Sequence, residues 1–333
     1  MKLNKIMFYF ILMNSTLITI SSSSMLVMWI GLEMNMFSFI PLMNESKNKL
    51  SSEASLKYFI IQSISSMVIL MSILSILYTS NSIELMSSPQ SYFFSTALMM
   101  KLGMAPFHFW FPEVIEGLNW INTLILLTWQ KLAPFTILMY NFKMNLYFSL
   151  IILISMLLSG ILSWNQLSMK KIFVYSSINH MGWMMSILFF NKSIFLFYFI
   201  FYSLNSFLLT LPLNQNKINQ IQQIYSILNL NKTQKFMYFF NFLSLGGLPP
   251  FTGFILKWLI LTVLISNNFK FLSLMMIFFT LMMLFIYTRL TFQALILKFD
   301  EFQTKLNFSF SISLSNFFNL TGMVWFFMFY SFL

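Results

Sequence analysis

Cysteine is absent from the 333-residue chain, which contains two histidines, nine glycines and only 8% charged residues. Without thiolates the chain forms no disulfide, holds no iron–sulfur cluster through cysteine and has no thiol nucleophile. Two histidines are too few for the paired haem ligands of a cytochrome, and neither zinc-ligand spacing nor a glycine-rich phosphate loop occurs. The sequence therefore predicts no cofactor and no metal ion bound to this chain.

Charged residues are too scarce for a soluble protein. Apolar residues make up 58% of the chain, whereas an ordinary soluble domain has about 25% charged residues. The lipid bilayer must therefore be the solvent. The net charge of +11 does not indicate nucleic-acid binding, because the basic residues are spread over loops without a recognition motif. The excess of Phe, Met and Lys indicates AT-rich coding, as in an organellar genome.

Eleven apolar runs are long enough to cross the hydrocarbon layer as helices; they lie at about 6–22, 25–43, 57–78, 91–109, 120–140, 145–163, 170–190, 193–212, 236–265, 271–297 and 310–331. With this count, twelve loop lysines fall on one side of the membrane and three on the other. This bias predicts an N-terminus in the cytoplasm-equivalent compartment and a C-terminus on the opposite side. The first run also resembles a signal peptide, but no small-residue cleavage site follows it. The one long polar loop is 213–235, so we expect no soluble domain.

Four ionisable residues lie well inside these runs: Glu33, Lys101, Lys131 and Lys257. A charge at the centre of a spanning helix costs about 2.5–3.5 kcal/mol, so such residues are expected to have a function. The alternatives are that the lysines snorkel towards the headgroups and that Glu33 is neutral and hydrogen-bonded. Arg289 lies near the end of its run, where snorkelling is the better interpretation.

Burial away from water disfavours the charged form of both lysine and glutamate. Each of these groups can therefore take up or release a proton, as a proton relay requires. Two histidines extend the set: His108 follows a predicted helix break, whereas the Ser and Asn neighbours of His180 would equally satisfy a packed imidazole. We expect Glu113 and Glu116 in a short, solvated loop.

Glycine and proline lie close to the three buried lysines, at Gly103, Pro106 and Pro134 and in the stretch GGLPPFTG at 246–253. These residues interrupt helical hydrogen bonds, and broken helices mark ion sites in transporters. Breaks in the fourth and ninth spans predict two inverted five-helix repeats, about 1–140 and 145–297. A further helix at about 310–331 would complete a single transmembrane domain, 1–333.

Five motifs in this order resemble the NADH dehydrogenase subunit 2 family, the antiporter-like membrane subunits of animal mitochondrial complex I; they are GLEMNMFSFIPL, KLGMAPFHFWFPEV, WQKLAPF, YSSINHMGW and GGLPPFTGFILKW. The resemblance covers about residues 1–330. It implies an all-α polytopic membrane protein of eleven helices with two inverted repeats. It also implies a location in the mitochondrial inner membrane, an N-terminus in the matrix and a C-terminus in the intermembrane space.

The family's proton-relay residues map onto this sequence without a departure. They are the glutamate Glu33, its paired broken-helix lysine Lys101, the bridging lysine Lys131, the central histidines His108 and His180, and the distal lysine Lys257. The implied function is proton translocation within NADH:ubiquinone oxidoreductase. NADH, flavin, iron–sulfur clusters and ubiquinone would be bound by partner subunits.

The implied partners are other antiporter-like and small proton-channel-linked membrane-arm subunits, accessory subunits, and lipids such as cardiolipin. Two alternatives remain. A stand-alone cation/proton antiporter would need acidic cation ligands in the membrane, but Glu33 is the only mid-span carboxylate. A purely structural membrane-arm subunit would hold the same charges as static pairs.

Overall fold

The structure is a computed structural model that describes residues 2–44, 48–79, 89–141, 143–223, 232–249 and 251–296. These residues are almost entirely α-helical, and the β-type pairing among them is an isolated antiparallel bridge between Ser168 and Gln220. The chain divides into two compact units between Asn145 and Leu146. The predicted all-α fold is confirmed, while the inverted relation of the two repeats and their boundaries stay predictions.

Seven helices make up the described part of the first unit: α1 (Lys2–Ser21), α2 (Met25–Met43), α3 (Lys49–Thr79), α4 (Pro89–Leu102), α5 (Trp110–Gly117), α6 (Trp120–Leu127) and α7 (Trp129–Asn141). α1 packs along α2, α2 along α3, and α3 against both α4 and α5. α7 contacts α1, α2, α4 and α6. It therefore carries Lys131 into the middle of the unit.

Six helices make up the described part of the second unit: α8 (Leu146–Leu162), α9 (Met169–Leu188), α10 (Lys192–Gln215), α11 (Lys232–Gly246), α12 (Thr252–Ser266) and α13 (Lys270–Ile296). α9 is the central helix, because it packs against α8, α10, α12 and α13. Apart from Lys170 and Lys171 at its start, every residue of α9 is buried. The polar side chains of α9 therefore point into the interior of the unit.

Among the residues that the structure describes, six segments are long and apolar enough to cross a membrane: α1, α2, α3, the pair α6–α7, α10 and α13. α8 and α12 are shorter apolar helices. Each predicted run between residues 6 and 297 overlaps a helix or a pair of helices separated by a short interruption, and the run 25–43 matches α2 at both ends. The run 91–109 is helical only to Leu102. The run at 310–331 lies outside the described residues, so the count of eleven spans stays a prediction.

Three predicted details are wrong. The segment with Glu113 and Glu116 is not a loop but helix α5, although Glu113 is exposed and pairs with Lys57 at 2.9 Å. α3 begins at Lys49 rather than at 57. The polar loop predicted at 213–235 lies partly outside the described residues, and within them residues 213–215, 221–223 and 232–235 are helical. A segment as short as α5 carries too few turns for its helical periodicity to show in the sequence.

Candidate functional site

The helix that carries Lys101 stops one residue after it. α4 ends at Leu102, and Gly103 adopts a φ of +72°, a left-handed conformation that glycine tolerates best. Residues 103–109 are non-helical, and the chain becomes helical again at Trp110. The break predicted from Gly103 and Pro106 is therefore confirmed. It leaves Lys101 in the last turn of α4, where a cation interacts favourably with the helix dipole.

Neutral side chains bind the carbonyl groups at this break. The indole Nε1 of Trp110 donates to the Met100 carbonyl oxygen at 3.2 Å, and Nε2 of Gln62 donates to the Lys101 carbonyl oxygen at 3.4 Å. The last carbonyls of a helix have no partner within the helix, so such groups replace water there. The ammonium group of Lys101 is consequently not needed to satisfy the broken end of its own helix.

Lys101 and Lys131 line the same cavity. Its volume is about 20 Å³, and one water molecule needs on the order of 10–15 Å³. The polar part of its wall also includes Asn35, Tyr58, Gln62 and Gln130. Oδ1 of Asn35 and Nε2 of Gln130 are buried and have no hydrogen-bond partner among the described residues. The two residues that carry these atoms line the cavity together with the two lysines.

Lys131 lies deep in the first unit. Its side chain is only 2% exposed, and its Nζ lies 5.4 Å from the centroid of the Phe111 ring, a distance at which an aromatic face attracts a cation. The sequence predicted a helix distortion at Pro134, but Pro134 lies inside α7. The interruption falls at Thr128, between α6 and α7. The Thr128 hydroxyl donates to the Leu124 carbonyl at 2.8 Å.

Glu33 and His108 are not part of the cavity wall. Glu33 is half-buried on α2 and interacts electrostatically with Lys101, but no ion pair within 4.0 Å joins these two described residues. His108 is 2% exposed within the break, with its ring 4.4 Å from that of Phe109. The first unit thus combines a lysine pair with one charged neighbour, and His108 lies beside it.

The second unit contains a comparable break. α11 ends at Gly246, Gly247 adopts a φ of +81°, and α12 begins at Thr252. Lys257 of α12 reaches back across the break, where its Nζ donates to the carbonyl oxygens of Gly246 at 2.7 Å and Leu245 at 3.3 Å. The break predicted at 246–253 is confirmed. Its lysine is directed to the broken helix end and is buried, which does not fit snorkelling to the headgroups.

His180 is surrounded by tyrosines that the sequence analysis did not single out. Its Nδ1 lies 2.8 Å from the Tyr198 hydroxyl, and its ring centroid lies 5.2 Å from that of Tyr202. Tyr287 of α13 interacts electrostatically with Tyr198. One signal in the sequence could have found two of them: Tyr198 and Tyr202 are four residues apart and share one face of the apolar helix α10.

Lys257 approaches the face of the central helix α9 that carries His180. Trp183 follows His180 by three residues on α9, and the Lys257 Nζ lies 6.0 Å from the Trp183 ring. Each unit therefore holds buried titratable side chains beside a helix break, an arrangement found at ion sites in transporters. Among the described residues, no group of three or more His, Cys, Asp or Glu is arranged to hold a metal ion.

Comparison with known proteins places this architecture in a family. The model of the family described as "NADH:quinone oxidoreductase/Mrp antiporter, TM" matches residues 22–284. The NADH-ubiquinone oxidoreductase chain 2 proteins of Anopheles gambiae and Aedes aegypti are each 41% identical over 331 residues, with 97% of both chains covered. The fold is similar to a chain of respiratory complex I from Thermus thermophilus, with a TM-score of 0.84 and 20% identity over 96% of this chain and 79% of that one. The chain therefore belongs to the NADH-ubiquinone oxidoreductase chain 2 family of antiporter-like, multi-pass membrane subunits of complex I.

Proposed function

We propose that this chain translocates protons through its buried lysines as part of the membrane arm of NADH:ubiquinone oxidoreductase. One observation carries the proposal: Lys101 and Lys131, 8% and 2% exposed, line one polar cavity with room for a water molecule. Two ammonium groups on one small cavity repel each other, and burial disfavours both charges. The pair is therefore most stable with one proton fewer than full charge, and a water molecule in the cavity would provide a path for the remaining proton.

Glu33 provides the electrostatic control. Its carboxylate interacts with Lys101 without touching it, so a change in the charge or position of Glu33 shifts the proton between Lys101 and Lys131. Two unit charges about 4 Å apart interact by about 4 kcal/mol at an effective dielectric constant of about 20. Moving one charge against 100 mV requires about 2.3 kcal/mol. A rearrangement of one charged pair is therefore large enough to drive one proton.

The other predicted residues have supporting roles in this proposal. His108 lies in the break next to Lys101 and would exchange protons on that side of the pair, since imidazole titrates near neutral pH. In the second unit, His180 and Lys257 would carry the proton along the central helix. Each unit would then contain its own set of relay groups, both built around a broken helix.

The redox reaction would take place on partner subunits. A chain without cysteine has no thiolates for iron–sulfur clusters, so NADH, flavin, the clusters and ubiquinone would be bound elsewhere in the complex. We place the chain in the mitochondrial inner membrane, with its N-terminus in the matrix and its C-terminus in the intermembrane space. Accessory subunits and lipids such as cardiolipin would cover its exposed apolar side chains together with the other membrane-arm subunits.

Replacing Lys131 with methionine in the assembled complex tests the proposal. Methionine retains most of the length of the side chain but carries no proton. Lys49→Met is the matched control, because Lys49 is exposed on α3 and faces no cavity. We expect both complexes to assemble on native gels, and we expect proton uptake per NADH oxidised to fall only for Lys131→Met.

The alternatives predict different results. A purely structural subunit predicts that Lys131→Met assembles and translocates protons as the unmodified complex does, and this result would refute the relay. A stand-alone antiporter predicts sodium- or potassium-dependent proton flux without NADH oxidation. Such flux would show that the transported ion is not only the proton.

A further inference from the structure

Three buried tyrosines converge on one face of the central helix α9. Tyr198 and Tyr202 come from α10 and Tyr287 from α13, and all three are at most 5% exposed. Tyr198 interacts electrostatically with both of the others, so the three hydroxyl groups lie near one another. Burying a phenolic hydroxyl is unfavourable unless it is hydrogen-bonded. Two of the tyrosines pack against one imidazole and the third interacts with both of these tyrosines, which exceeds what a packed histidine needs.

Two serines of α9 lie close to two of these hydroxyls. Ser177 interacts with Tyr202, and Ser176 interacts with Tyr287. Each serine already donates its own hydrogen to the carbonyl three residues earlier, at 2.7 Å for Ser177 and 2.8 Å for Ser176. Since a hydroxyl has one hydrogen to donate, the tyrosines donate to the serine oxygens. The oxygens of Tyr202 and Tyr287 therefore remain acceptors.

Tyr198 differs from the other two because its partner is itself titratable. Its hydroxyl oxygen lies 2.8 Å from Nδ1 of His180. On α9 the order along this face is Ser176, His180 and Trp183, and the last of these faces Lys257 at 6.0 Å. At 1.5 Å per residue this polar stripe is about 10 Å long. It links the tyrosine cluster to the buried lysine.

We propose that Tyr198 is a further relay residue and that Tyr202 and Tyr287 position it, an inference that rests on the proton-translocating function proposed above. The Tyr198 hydroxyl gives its proton to Nδ1 of His180 and takes another on its oxygen, while the proton on Nε2 leaves towards Lys257. Tyr198 thus gains and loses one proton in the same step, and the number of protons on the imidazole does not change. The oxygens of Tyr202 and Tyr287 stabilise the excess proton as it enters.

Tyr198→Phe in the assembled complex tests this inference, because it removes only the hydroxyl. Tyr238→Phe is the matched control: Tyr238 is 1% exposed in the same unit, and its hydroxyl donates to the Leu209 carbonyl at 3.2 Å. Both variants lose one buried hydrogen bond. We expect the rate of proton translocation to fall about tenfold for Tyr198→Phe, which is less than the roughly 10²–10⁴-fold typical of a proton-transfer group because water can partly replace the hydroxyl. We expect no comparable loss for Tyr238→Phe.

A second measurement separates a relay role from a structural one. If Tyr198 acts through His180, the double variant His180→Gln, Tyr198→Phe is no slower than His180→Gln alone. If the two substitutions instead reduce the translocation rate independently, so that their fold-losses multiply, the inference is overturned. Equal rates for Tyr198→Phe and Tyr238→Phe would also overturn it. If Tyr198→Phe prevents assembly, Tyr287→Phe is measured instead, because it leaves the hydrogen bond of His180 intact. A fall in translocation rate no larger than that of Tyr238→Phe would then overturn the positioning role of Tyr287. If these variants are normal while Lys131→Met is impaired, the lysine relay stands without Tyr198.

Discussion

Replacing Gly247 with alanine should displace Lys257 from the broken end of α11. At its φ of +81°, an L-residue is strained by about 1–2 kcal/mol. A Cβ on Gly247 would also lie 2.9 Å from both Cδ and Nζ of Lys257, so the lysine side chain must move. Loss of its shorter hydrogen bond, 2.7 Å to the Gly246 carbonyl, removes about 1.5–3 kcal/mol, the usual contribution of a hydrogen bond to a charged group. The combined effect is about 2.5–5 kcal/mol at one position.

Proton translocation in membrane vesicles is the assay, measured with a pH-sensitive dye after assembly has been checked on native gels. We expect Gly247→Ala to assemble less well and, in the assembled fraction, to translocate protons more slowly. Gly160→Ala is the control, because Gly160 of α8 does not have a positive φ and its added Cβ would meet the Met282 side chain at 3.2 Å, away from the proposed relay residues. Equal rates for the two variants in their assembled fractions would refute the assignment of Lys257 to the relay.

Two further predictions concern the first unit. Gln130→Leu keeps the volume of the side chain but removes a polar group from the wall of the cavity that Lys101 and Lys131 line; we expect assembly to be unchanged and translocation to fall several-fold, since a lost hydrogen bond to a water molecule in the cavity would cost about 1 kcal/mol. Normal translocation by Gln130→Leu would show that the lysines exchange protons by another route. Glu113→Gln removes an exposed ion pair with Lys57 that contributes about 0–1 kcal/mol; we expect the thermal-inactivation temperature and the rate to stay unchanged, and a marked loss of either would assign Glu113 a role beyond the surface.

The sequence predicted the features that depend on residue type alone. A lone lysine in an apolar run, with glycine or proline close by, was sufficient to place the breaks at Gly103 and before Lys257. Other features depend on packing between distant segments. The cavity beside Lys101 is formed by residues of all six helices from α2 to α7, and no local pattern shows which of their polar side chains meet.

The tyrosines around His180 were missed for a different reason. A tyrosine in a membrane helix is commonly found at the headgroup level, so Tyr198 and Tyr202 do not stand out in α10. Tyr287 reaches the same place from α13, 85 to 89 residues later in the chain by residue number. The histidine itself was identified, and only the fold shows that its hydrogen-bond partner is Tyr198.

The two helix breaks differ in which side chains bind the carbonyl oxygens at the end of the preceding helix. At Met100 and Lys101 the carbonyls are held by an indole and an amide, whose bonds do not depend on charge. At Leu245 and Gly246 they are held by Lys257 itself. Hydrogen bonds from an ammonium are roughly twice as strong as those from a neutral donor, so a Lys257 that has given up its proton loosens the joint between α11 and α12. In the proposed relay, the strength of the bonds at the second break would thus follow the charge of Lys257, whereas the bonds at the first break would not change.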